Sequence, residues 1–200
     1  MPFDIEASRH QALLARGRQL EYVTLGWNVV GVAVLAVAAL RAHSVALAGF
    51  GLDSLVEIGA STVVLWELAA THEDRQRRAL RMIGVAFVLL AVYITVQSLI
   101  VLLSGYHPES SALGITWTAV TGAVMFSLAA GKARIGRALD NAVLTTEGRV
   151  TFIDGLLATS VLLGLVLNAA TGAWWADPVA GFVIVYYGIR EAKAILSEPH

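Results

Sequence analysis

The chain has 200 residues, 57% of them hydrophobic and 14% charged, with a net charge of −1 and a mean hydropathy of +0.70. Soluble domains carry about 25% charged residues, so the composition excludes a soluble globule and points to an all-α integral membrane protein. The absence of cysteine also excludes disulfides, iron–sulfur ligation and thiolate metal sites, leaving carboxylate, imidazole, amide or water to hold any metal.

Residues 1–19 carry Asp4, Glu6, Arg9, His10, Arg16 and Arg18 and read as a short amphipathic cytoplasmic segment. They lack an early apolar core, so no cleaved signal peptide is expected. The first apolar run, Leu20 to Leu40, is long enough to cross a ~30 Å hydrocarbon core and contains Glu21 and Asn28. A turn at Arg41 to Ser44, including His43, leads into a second span from Val45 to Leu68 that ends near Glu67, read as facing water. Thr71 to Arg78 is a charged loop whose His72, Glu73 and Asp74 combine imidazole and carboxylate, a metal-compatible set that in a loop is ordinarily just solvated.

The third span, Ala79 to Leu103, is interrupted by Gln97, and Ser104 to Ser110, with His107, reads as a loop. The fourth span, Leu113 to Ala130, bears Gly114, Thr116, Thr118, Thr121, Gly122 and Ser127. Such small residues allow close helix packing, and their face is the expected surface for any homodimer made by the membrane helices. A basic stretch from Lys132 to Arg149 precedes the fifth span, which ends near Leu167 and contains Asp154. Trp174 and Trp175 read as interfacial anchors. Asp177-Pro178, an N-cap followed by proline at the first helical position, starts a sixth span that ends near Leu196. The expected organisation is therefore a segment 1–19, a six-helix transmembrane domain 20–196 and a tail 197–200.

With six spans both termini share a side, and thirteen of the fourteen basic residues fall there, Arg41 alone lying opposite. The excess of Lys and Arg makes that side cytoplasmic. A multi-pass protein of the cell membrane is the expected location.

Asp53 and Glu57 stand out within the second span. A carboxylate at the bilayer centre costs roughly 2.5–3.5 kcal/mol on insertion scales, and the i, i+4 spacing puts both on one helix face, about 6 Å apart. At the helical rise Glu57 lies about 18 Å below the outer face, level with Asp154 entering from the other side. Asp53, Glu57 and Asp154 can thus meet at mid-membrane if spans two and five are neighbours. Three carboxylates around one point repel unless they share protons or a cation. Glu147 and Asn28 are further candidate ligands, although Asn28 and Gln97 suit interhelical hydrogen bonds better than metal ligation.

At these residues the sequence resembles the cation diffusion facilitator, or cation efflux, family of six-helix metal/proton antiporters. The carriers of the likeness are Ser44-Val45-Ala46-Leu47 followed by Asp53-Ser54-Leu55-Val56-Glu57, then Asp154, then Trp175-Ala176-Asp177-Pro178. The resemblance implies a metal site built from Asp53 and Glu57 on the second helix and Asp154 on the fifth. One further ligand position falls on Val150, which cannot bind metal, so a fourth donor would come from water, Glu147, Asn28 or Gln97. The match is to a short branch without the family's C-terminal cytoplasmic domain.

The expected function is efflux of a divalent cation against protons. An all-oxygen site tolerates Mn²⁺, Co²⁺ or Fe²⁺ as well as Zn²⁺, and metal entry displaces protons from its ligands. The expected partners are metal ions, protons and membrane lipid; neither an organic cofactor nor a nucleic acid is called for. Intramembrane aspartyl proteases also pair acids on two spans. They need Gly-x-Gly-Asp, however, and Gly49-Phe50-Gly51-Leu52-Asp53 places the acid one residue late, so an enzyme is not expected. The competing reading is a non-transporting membrane subunit or regulator that keeps the fold, which Val150 favours.

Overall fold

The structure is a computed structural model that describes residues 2–42, 45–69, 73–105 and 111–197. His43, His72 and His107, and with them the proposed loop cluster at His72, lie outside the described residues. Six helices follow one another: α1 (Pro2–Ala42), α2 (Val45–Leu68), α3 (Glu73–Ser104), α4 (Ala112–Ala138), α5 (Ala142–Thr171) and α6 (Ala176–Ser197). Among the described residues, α1 to α5 are long and apolar enough to cross a membrane. Large apolar side chains such as Leu40, Leu89, Val92, Leu103 and Leu163 are exposed on the outside of the bundle. That surface suits lipid, and the chain is a multi-pass membrane protein.

Three boundaries differ from the sequence reading. The N-terminal segment continues into the first span as one 41-residue helix, because no glycine pair or proline interrupts the helical pattern between them. The basic stretch Lys132 to Arg149 forms two helix ends rather than a loop, and only Leu139, Asp140 and Asn141 make the turn. Helix α6 starts at Ala176, one residue before Asp177.

Local signals explain the helix ends. Ser111 caps α4 by accepting from the Gly114 N–H at 3.0 Å, and Asn141 caps α5 by accepting from the Leu144 N–H at 2.7 Å. At its far end α5 stops at Gly172, whose φ of 74° is the left-handed conformation that glycine adopts without steric cost. The Gly172 N–H closes the last turn on the Asn168 carbonyl at 2.9 Å.

Helices α1, α2, α5 and α4 form a four-helix group, each packing on the next around the ring, while α3 and α6 pair beside it against α2 and α5. Trp27 of α1 stacks on Trp117 of α4 with ring centroids 5.0 Å apart, and its indole N–H donates to Thr121 at 3.2 Å. The closest approach is between α4 and α5. A Cβ on Gly136 would lie 2.7 Å from the Thr145 backbone nitrogen, and one on Gly148 would lie 3.0 Å from the Ala133 nitrogen. Glycine at both positions brings the backbones together on either side of Lys132.

Adding a methyl at Gly136 must therefore separate two backbones. Overpacking of this kind costs about 1–3 kcal/mol, so Gly136→Ala is expected to lower the thermal unfolding midpoint of the detergent-purified chain. Gly26→Ala is the control, since nothing lies within 4 Å of its added Cβ; it should leave the midpoint unchanged or raise it.

Candidate functional site

Each helix of the four-helix group turns a polar stripe inward. On α1 the buried face runs through Glu21, Thr24 and Asn28, and on α2 through Asp53, Glu57, Ser61 and Glu67. Helix α4 contributes Lys132, and α5 contributes Asn141, Glu147, Thr151 and Asp154. From Glu21 to Asn28, from Asp53 to Ser61 and from Glu147 to Asp154 these positions recur at three- and four-residue steps, which place them on one side of each helix. Among the described residues, six carboxylates are buried with one cation, Lys132.

The polar groups stack in layers along the α2–α5 interface. At one end Asp53 faces Asp154 within hydrogen-bonding reach. A turn further on, the Thr151 hydroxyl donates to Glu57 Oε1 at 2.8 Å. Next comes Lys132, whose ammonium donates to Thr151 at 2.9 Å and to Glu147 Oε1 at 3.2 Å, and stands 3.0 Å from Glu21 Oε2. In the last layer the Asn141 amide donates to the two Glu67 oxygens at 3.3 and 3.2 Å. Residue numbers rise along α2 as they fall along α5, which is the register of antiparallel neighbours.

The layers differ in how well they are satisfied. Lys132 offsets one of the two carboxylate charges in its own layer, where both Glu21 oxygens and Glu147 Oε2 lack a hydrogen-bond partner, and Asn141 serves both as helix cap and as donor to Glu67. In the Asp53 layer, Asp53 Oδ2 and both oxygens of Asp154 are buried without a hydrogen-bond partner. Two carboxylates facing each other out of water need a proton or a cation between them. Oxygen-only donors of this kind suit a hard or borderline divalent ion.

The sequence-predicted residues divide accordingly. Asp53 and Asp154 meet; Glu57 lies beside them and is held by Thr151. Glu147 is bound to Lys132. Asn28 is buried, and its amide donates to the Thr24 carbonyl of its own helix at 3.0 Å. Gln97 abuts Gly49, where an added Cβ would collide with Gln97 and Tyr93, so it lies one turn from Asp53. Val150 is buried in the apolar core. No three His, Asp or Glu side chains among the described residues converge on one point in this conformation.

Two sequence readings are corrected. Lys132, assigned to a cytoplasmic basic stretch, is fully buried, because α4 continues past Ala130. Glu67, expected to face water, is fully buried as well. Both were legible in the spacing: Met125, Leu128, Lys132 and Gly136 continue one face of α4, and Asp53, Glu57, Ala60, Val64 and Glu67 continue one face of α2.

A cavity of about 680 Å³ opens where α4 ends and α5 begins, lined by Arg77, Arg137, Asn141, Thr145, Thr146 and Arg149 among others. Asn141 separates it from Glu67 and the acidic line behind.

Residues 82–198 match the family described as the Cation efflux transmembrane domain. That range runs from α3 through α6 and includes Lys132, Glu147, Thr151 and Asp154, while Asp53 and Glu57 precede it. Transmembrane protein 163 of Xenopus laevis is 28% identical over 171 residues, which cover 81% of this chain and 60% of that protein. The chain thus spans about three fifths of the length of that curated relative.

The double role of Asn141 can be separated by substitution. Asn141→Asp keeps the helix cap but sets a carboxylate against Glu67, whereas Asn141→Ser keeps a cap and leaves Glu67 without the amide. Capping residues are interchangeable within a few tenths to about 1 kcal/mol, so a markedly lower unfolding midpoint for Asn141→Asp than for Asn141→Ser is expected. Equal midpoints would show that the Glu67 contact adds nothing.

Proposed function

The chain belongs to the cation efflux family, and from that premise we propose that it carries one divalent metal cation at a time through Asp53, Glu57 and Asp154 in exchange for protons. The observation that carries this reading is the facing pair Asp53 and Asp154, buried on antiparallel helices with unsatisfied oxygens. Glu57 is one turn away and supplies a third carboxylate, and water completes the shell. The ion requires deprotonated ligands, so its entry releases protons and its departure takes them back. The oxygen set favours Mn²⁺, Co²⁺ or Fe²⁺ alongside Zn²⁺.

Six spans are read from the apolar runs of the sequence, and with that even number the excess of Lys and Arg puts both termini on the cytoplasmic side. The substrate then binds near mid-membrane, where carriers ordinarily hold it. Alternating access comes from movement of the α3–α6 pair against the four-helix group, since no single helix contact between the two sets is as extensive as that of α3 with α6. Glu147 and Asn28 are left out of the ligand set, because Glu147 is engaged by Lys132 and the Asn28 amide by Thr24.

Asp53→Asn and Asp154→Asn should each abolish metal-dependent proton flux in proteoliposomes while leaving the protein folded. Flux at the wild-type rate in either variant refutes the site. The second reading, a non-transporting protein that keeps the fold, is favoured by the buried Val150 at a position where the family resemblance implies a ligand. Metal binding by the wild-type chain without accompanying flux would select it.

A further inference from the structure

Lys132 has no part in the proposed exchange, yet it is fully buried among the acids. Its ammonium donates to Glu147 Oε1 at 3.2 Å and to Thr151 at 2.9 Å, and it stands 3.0 Å from Glu21 Oε2 as an ion pair. An ammonium has three donors and no acceptor, and two of the three are hydrogen-bonded here. The Thr151 hydroxyl owns one proton. Because Lys132 occupies a lone pair of its oxygen, that proton points to Glu57 Oε1 at 2.8 Å. Lys132 therefore orients a proposed metal ligand through one intervening hydroxyl.

The surroundings of the ammonium resemble a metal site. Two carboxylates and a hydroxyl, from α1 and α5, converge on one buried point, with Glu57 a turn away. That is a hard-oxygen donor set of the type that holds Mg²⁺, Mn²⁺ or Ca²⁺. Glycines at 136 and 148 hold α4 against α5 close to Lys132, which fixes the root of its side chain beside these oxygens.

We propose that Lys132 is a resident cation filling the inner half of the acidic line, that it limits the carrier to one exchangeable divalent ion, and that it masks a second divalent-cation site formed by Glu21, Glu147 and Thr151. This inference rests on the carrier reading given above. Lys132 is here a positioning residue: it never touches the transported ion, and it acts by occupying oxygens that would otherwise recruit another one. A merely structural ion pair would change stability on removal without changing the number of ions bound.

The test counts Mn²⁺ bound per chain at saturation, on the full chain purified in detergent, by equilibrium dialysis and elemental analysis. The expected counts are one for the wild type, two for Lys132→Met, and one again for Lys132→Met combined with Glu21→Gln and Glu147→Gln. Mn²⁺ should also raise the unfolding midpoint of Lys132→Met more than that of the wild type. A folded Lys132→Met that binds one ion overturns the proposal. Should Lys132→Met fail to fold with or without Mn²⁺, Lys132→Gln replaces it: a count of two is expected, and a count of one in the folded variant overturns the proposal. A wild-type count of zero refutes the carrier reading itself, whereas one ion in both wild type and Lys132→Met refutes only the role of Lys132.

Discussion

Among the described residues, six carboxylates buried with one ammonium set the terms for the bundle. A charge removed from water is tolerated only where paired and hydrogen-bonded, and breaking such a pair by removing one member costs about 3–5 kcal/mol. Lys132 must therefore reach three partners at once. It does so because α4 and α5 touch through glycines on both sides of it, and because Glu21 faces inward from α1. The Trp27–Trp117 stack holds α1 against α4 further along the same interface. The close packing of α4 on α5 and the inward polarity of α1 are two consequences of one electrostatic requirement.

That requirement is met unevenly. The Glu67–Asn141 layer is hydrogen-bonded internally, and the Lys132 layer is held by its ammonium although both Glu21 oxygens and Glu147 Oε2 lack a hydrogen-bond partner. The Asp53–Asp154 layer has unsatisfied oxygens, and it lies at the other end of the line from Asn141 and the cavity beside it. A carrier needs both kinds of layer. The paired groups give the bundle a fixed geometry, and the unpaired ones leave a place where an ion or a proton can come and go.

The family relation bears on the two halves differently. Its matched range begins in α3 and includes the α5 acid and the buried lysine, but the α2 acids precede it. What joins Asp53 and Glu57 to the rest is their position, opposite Asp154 and Thr151 on an antiparallel neighbour.

Much of this was readable from the chain alone. Hydropathy and length determined that the protein is a membrane helix bundle, because a bilayer admits few other backbones. The cost of buried charge singled out Asp53, Glu57 and Asp154, and simple depth arithmetic set Glu57 level with Asp154, one turn from the Asp53 that faces it in the structure. Spacing also contained Lys132 and Glu67, but charge was read there as exposure: a lysine beyond an apolar run and a glutamate at a span's end both count by default as solvated. Only the tertiary structure decided otherwise. A helix whose inner face continues past its apolar stretch carries its charges into the core when a neighbour offers opposite charge there. Which helix is that neighbour depends on packing between residues more than a hundred positions apart, such as Glu21 and Lys132, and no local pattern encodes it.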